Sequence, residues 1–219
     1  MKHDRHGKAK ILTPEELQRL FTSGLQTNRD RALFGICLYT ACRINEACCL
    51  RTTDVYERLG VVLPEVVFRK ETTKGKLATR CIPVSEDLRR LLLDYYPSPR
   101  RWFLFPGLKG TGHLYPESAS RVLRKACKRM GIIGVSTHSF RRTALTQMSN
   151  AGIPLRVIQE ISGHRNLEQL QKYLEVRPDQ MLGAVSSLSM LTPVNKGEYL
   201  NHDHRKLFEY HTQLLDFIE

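Results

Sequence analysis

A single tryptophan, no C-x-x-C pair and no long apolar run are what this 219-residue sequence most plainly lacks. A membrane span needs about 20 consecutive apolar residues. Nothing in the chain approaches that, so no membrane partner is expected. The basic opening MKHDRHGKAK leads into neither an apolar core nor a small-residue cleavage site, so it is not expected to act as a secretory signal. The six cysteines, at positions 37, 42, 48, 49, 81 and 127, are not spaced as zinc ligands. Four of them fall in the apolar stretch 37–49, where free thiols behave as small hydrophobes. An intracellular, cytoplasmic setting that keeps them reduced is expected.

Carboxylates are also scarce. The 22 Asp and Glu face 34 Lys and Arg, for a net charge of +12. The imbalance is confined to residues 1–193, with 31 basic and 17 acidic residues, whereas 194–219 carry three and five. A basic body with an acidic tail points to a polyanionic partner for the body.

What is present reads as a mainly helical domain with a small antiparallel sheet, an α+β chain. In ILTPEELQRLF, Thr13, Pro14 and Glu16 form a helix start with a capping box. Residues 29–51 read as mostly helical and apolar, interrupted by Arg43 and Glu46. Two β-rich runs, 61–69 and 78–84, flank a turn containing Lys74, Gly75 and Lys76, which predicts a hairpin. A short helix is expected over 86–96. Residues 97–116 concentrate proline and glycine and predict an irregular loop. A basic helix then follows Pro116 and stops at Gly131, and another is capped by Thr137. A further helix, LRVIQEI, runs from Pro154 to Gly163, and Leu167, Leu170 and Leu174 mark the next, which carries Tyr173. Residues 198–219 are compatible with a last amphipathic helix. The expected division is a basic segment 1–11, a catalytic domain 12–192 and an extension 193–219.

Within this frame a few polar residues stand out. Arg43 interrupts an otherwise core-like stretch, where a guanidinium is costly unless it meets an anion. Glu46, three residues on, offers either a purely structural pair or a support that aims Arg43 at a phosphate. In THSFRR, His138 and Arg141 leave one face of a helix near its N-terminus, where anions are favoured. Arg142 points elsewhere, toward the surface or a backbone contact. Gly163 ends a helix before His164, and Tyr173 follows nine residues later.

Together these groups meet the needs of transesterification at a DNA phosphodiester. A phenol with pKa ~10 attacks only with a base and positive surroundings. Two arginine forks can hold the non-bridging oxygens, and imidazoles can donate a hydrogen bond or accept the phenolic proton. A mobile lysine on a hairpin tip can protonate the leaving 5′-oxygen. Lys74 is the first choice and Lys76 the second. On the helix 117–130, Arg121, Arg124, Lys125 and Lys128, with Arg129, offer either a DNA-facing surface or a solvated helix face.

In order and spacing these motifs resemble the catalytic domain of the tyrosine recombinase (phage integrase) family: Arg43 in TACRINEACCL, a hairpin lysine before the strand from Thr79 to Pro83, His138 and Arg141 in HSFRR, His164 in SGH, then Tyr173. The match runs from about Leu12 to Leu191. By this resemblance Arg43 and Arg141 clamp the scissile phosphate, the lysine is the general acid and His138 a base or hydrogen-bond donor. His164 steadies the transition state, Tyr173 forms a 3′-phosphotyrosine, and neither metal, nucleotide nor other cofactor is required. The partner is double-stranded DNA, on which a homo-oligomer, a tetramer, is expected to assemble through the C-terminal segment, with an accessory DNA-binding protein as a further partner. Family members carry an additional N-terminal helical domain. Only about eleven residues precede the matching region here, which implies a fragment, or a domain that works alone or with a helper.

Competing classes remain open. A relative that binds DNA without cutting it would form no covalent adduct on a nicked substrate. A metal-dependent nuclease would need converging carboxylates, whereas the residues singled out are almost all cationic. A type IB topoisomerase would relax supercoils without sequence preference. In the tail, Leu207, Phe208, Leu214, Leu215, Phe217 and Ile218 suit either a neighbouring subunit or the chain's own domain.

Overall fold

The computed structural model describes residues 9–73, 78–96, 101–107, 112–171, 174 and 178–188. They fall into two units that divide after residue 175, each taken by itself. The first opens with α1 (Pro14–Arg19), where Thr13 and Glu16 cap each other reciprocally, as the TPEE motif predicts. A π-helical turn over Leu20–Gly24 leads on toward α2 (Asn28–Tyr39). Eight of the twelve α2 residues are buried, which makes it the central helix of the domain.

The apolar stretch after α2 does not continue as one helix. Ala41 takes a left-handed conformation at φ 50° and turns the chain, and α3 (Ile44–Cys48) begins with Arg43 as its N-cap. A side-chain-bearing residue there costs roughly 1–2 kcal/mol, so the surrounding packing holds the corner in place. Next come β1 (Glu65–Phe68) and β2 (Arg80–Pro83), paired antiparallel with Phe68 opposite Arg80 and Glu65 opposite Pro83. Then α4 (Glu86–Leu93), capped by Ser85, buries Leu88 and Leu92.

The Pro- and Gly-rich loop is irregular but anchored. Isolated bridges join Arg51 to Phe103 and Pro106 to His113, and Phe105 stacks on Tyr95 with ring centroids 5.4 Å apart. Next, α5 (Pro116–Met130) starts on a proline and ends on left-handed Gly131. In α6 (Thr137–Asn150) the cap is Ser136, one residue earlier than expected, because its backbone N–H donates to Ser139 Oγ at 3.1 Å. As predicted, α7 (Leu155–Ser162) is closed by left-handed Gly163, but α8 (Leu167–Gln171) is shorter than expected: Leu174 lies outside it, and Tyr173 falls outside the described residues.

Phe140 of α6 stacks on Phe34 of α2 at 5.1 Å, with Phe21 edge-on at 6.2 Å, and this aromatic group ties the two helices together. Arg142 is buried rather than on the surface. It donates to the Ala9 carbonyl at 2.6 Å, and beside it Thr143 Oγ1 accepts from Leu12 N at 2.8 Å. These two bonds seat the N-terminal segment on α6.

In the second unit, α9 (Pro178–Ser186) presents Met181, Leu182 and Val185 to solvent. The helix expected over 198–219, with its apolar tail residues, lies outside the described residues. Among the described residues no helix is long and apolar enough to cross a membrane.

Candidate active site

Arg141 is the least expected residue of the core, a guanidinium only 1% exposed. Two carbonyls fix it. Nη1 donates to Ala41 O at 2.5 Å, and Nη2 donates to Ser162 O at 2.9 Å. The left-handed turn at Ala41 and the end of α7 therefore both serve as seats for the same side chain.

Arg43 approaches from the start of α3. Its backbone N–H and its Nη1 both donate to Glu46, at 2.8 and 3.2 Å, and Glu46 is 1% exposed. The expected pairing with Glu46 is present, built as a helix cap rather than as two residues on one helical face. Glu46 also accepts from a residue that the sequence offered only as a strand landmark. Arg80 Nη2 lies 3.2 Å from Glu46 Oε2, and Arg80 Nη1 donates to Ser162 O at 3.0 Å. The strand's two-residue period places Arg80 on the same face as buried Ile82. A cation on that inward face was the available signal.

His164 is buried in the turn after α7. Ser162 Oγ donates to Gln159 O at 3.2 Å, which leaves its lone pairs to accept from His164 Nδ1–H at 2.8 Å. Arg141 Nη2 faces His164 Nε2 at 3.1 Å and can only donate. Arg141 Nη2 also lies 3.4 Å from Nδ1, and the neutral Nδ1–H tautomer, with Nε2 as an acceptor, is the one that satisfies the shorter contacts. Burial first, then the charges of Arg141, Arg43 and Arg80, push the His164 pKa down to about 3. His138, in the first turn of α6, is exposed, yet partial desolvation and the same Arg141 and Arg43 charges lower its pKa too. Four cationic or imidazole groups from the α2–α3 corner, α6 and the α7–α8 turn therefore share one positive field. The arrangement suits holding an anion while a neutral imidazole stays able to take up a proton.

Along α5, Arg121, Arg124, Lys125 and Lys128 are exposed. The first three border a cleft of about 790 Å³, together with Arg29, Tyr115 and Ser118. Arg129 is drawn away, donating to Gly24 O at 2.5 Å. Lys74, Lys76 and Tyr173 lie outside the described residues. Among the described residues no group of three or more His, Cys, Asp or Glu side chains is placed to hold a metal ion.

The mainly helical domain with a two-stranded antiparallel sheet is the fold of tyrosine recombinase catalytic domains. The crystal structure of XerA recombinase matches it with a TM-score of 0.67 at 22% identity, over 82% of this chain and 65% of that one. A post-cleavage complex of XerH site-specific recombinase bound to a palindromic difH substrate matches at 0.64 and 22% identity, over 83% of this chain and 54% of that one. The model described as the phage integrase family matches residues 10–180, and the chain belongs to that family. Among curated relatives, a tyrosine recombinase of Thermosipho africanus is 29% identical over 81% of this chain and 61% of its own length. The tyrosine recombinase XerC of Bacillus licheniformis is 32% identical, over 78% and 59%. The chain thus spans about three fifths of the curated relatives it matches.

Proposed function

We propose that this chain is the catalytic domain of a site-specific DNA recombinase or integrase that breaks and rejoins strands through a 3′-phosphotyrosine. The observation that carries this is the convergence of Arg43, of His138 and Arg141 on α6, and of His164 into one positive field. Family membership and the DNA-bound state of the XerH relative support it. Arg43 and Arg141 hold the non-bridging oxygens of the scissile phosphate. The Tyr173 phenol attacks phosphorus as His138 accepts its proton, and the P–O5′ bond breaks. Lys74, or Lys76 beside it, protonates the departing 5′-oxygen. Attack by a 5′-hydroxyl reverses each step, so rejoining needs no nucleotide. His164, with Nε2 engaged by Arg141 and Nδ1 by Ser162, orients the clamp.

Arg121, Arg124, Lys125 and Lys128 lie along the duplex backbone. The enzyme assembles on double-stranded DNA as a homotetramer through residues 193–219, inside the cell, with an accessory DNA-binding protein supplying what a catalytic domain alone lacks. The test uses a labelled duplex, built from DNA flanking the gene and nicked beside the candidate phosphate. The wild-type chain, in excess EDTA, leaves a denaturation-resistant adduct at the 3′ end, and Tyr173→Phe leaves none. Binding without any adduct would replace this assignment with that of a non-cutting relative.

A further inference from the structure

Arg80 is the residue in which the lines of contact at the site meet. Its side chain is 12% exposed and lies 5.3 Å from the centroid of the Phe68 ring across the hairpin. One fork nitrogen, Nη2, reaches Glu46 Oε2, the oxygen that also accepts from the Arg43 backbone N–H. The other, Nη1, reaches the Ser162 carbonyl, which also accepts from Arg141. A single planar group thereby joins the partners of both clamp arginines. A guanidinium suits this bridge better than an ammonium, because its five N–H donors sit in a rigid fork whereas an ammonium is a compact point charge. The chain makes room for it: a Cβ at Gly163, where φ is 64°, would lie 1.8 Å from Arg80 Nη1.

Stability alone is a poor reason for this arrangement. Arg80 crowds a third guanidinium onto a carboxylate and a carbonyl already in use, and its Nε is buried with no hydrogen-bond partner among the described residues. Its place in the chain supplies a better one, since Arg80 opens strand β2 where that strand pairs with β1.

We infer that Arg80 is a positioning residue, which locks the β1–β2 hairpin onto the Glu46 carboxylate and the Ser162 carbonyl and so sets the spacing of Arg43 and Arg141 for a tetrahedral oxyanion. The inference rests on the phosphate-handling role proposed above. It assigns Arg80 no contact with the phosphate itself.

Inorganic tungstate, a tetrahedral dianion, serves as a probe that needs no target sequence. Calorimetric titration compares the full wild-type chain with Arg43→Met, Arg80→Met and Arg80→Lys. Imidazole NMR follows His164 in each through a pH titration. Arg80→Met is expected to lower tungstate affinity about tenfold, the lower end of what losing a residue that orients the binding groups costs, and to move the His164 titration upward. Arg80→Lys, which keeps the charge but not the fork, is expected to stay at least several-fold weaker than wild type. If Arg43→Met binds tungstate as wild type does, or wild type shows no saturable binding, the phosphate role fails, and this inference with it. If Arg43→Met loses binding while Arg80→Met keeps wild-type affinity and an unmoved His164, only the positioning role is overturned. Full recovery in Arg80→Lys overturns it too, reducing Arg80 to a charge. Should Arg80→Met not fold, Arg80→Lys alone decides between the two results.

Discussion

Replacing His164 with glutamine should flatten the acid side of the protein's stability profile. In the unfolded chain a histidine takes up a proton near its ordinary pKa of 6.5, whereas in the folded site it stays neutral until about pH 3. Only the unfolded state gains a proton between those values, so stability is full above pH 6.5 and falls as the solution is acidified. At about 1.4 kcal/mol per unit, going from pH 7 to pH 5 costs up to roughly 2 kcal/mol. Glutamine keeps an oxygen to accept from Arg141 Nη2 and an N–H to donate toward Ser162, but it has no proton to gain. Urea unfolding of both proteins at pH 7, 6 and 5 gives the comparison. This range stays above the acidity at which most carboxylates titrate. His138, lowered in the same direction, is present in both and cancels. Wild type should lose close to 2 kcal/mol more than His164→Gln over the two units. Profiles that remain parallel would refute the neutral, guanidinium-facing imidazole.

Gly163→Ala should destabilise the fold by about 2 kcal/mol, because a left-handed backbone and the clash with Arg80 act together; a thermal melt reads it. Paired substitution of Arg124 and Lys125 by alanine should leave the melting temperature within a degree or two, since both are exposed. The same pair should reduce the slope of log K for duplex DNA against log salt by about 1–2, and an unchanged slope would remove the α5 face from the DNA surface.

The parts of the site that the sequence discloses are those whose meaning is local. A histidine and an arginine three apart after a serine-rich cap announce their shared face, and glycine before His164 announces a helix end. The same holds for Thr13–Glu16 and the basic helix behind Pro116. Arg80 is different, because its partners are 34 and 82 residues away and no spacing rule connects them. The break at Ala41 was equally hidden. Neither glycine nor proline marks it, and the left-handed turn is stabilised by the distant guanidinium that its carbonyl receives. The choice between Ser136 and Thr137 as cap turned on Ser139, one hydroxyl among several of similar propensity.

The seating of Arg141 has a consequence for the life of the chain. Its anchors are carbonyls 100 residues upstream and 21 residues downstream. Helix formation over 137–150 alone leaves the guanidinium hydrated and unaimed. Only when the first and last parts of the domain have closed on each other is the guanidinium aimed for the grip on an oxyanion proposed for it. A newly made or partly opened molecule is therefore disarmed, a natural safeguard for a protein whose proposed task is to break DNA.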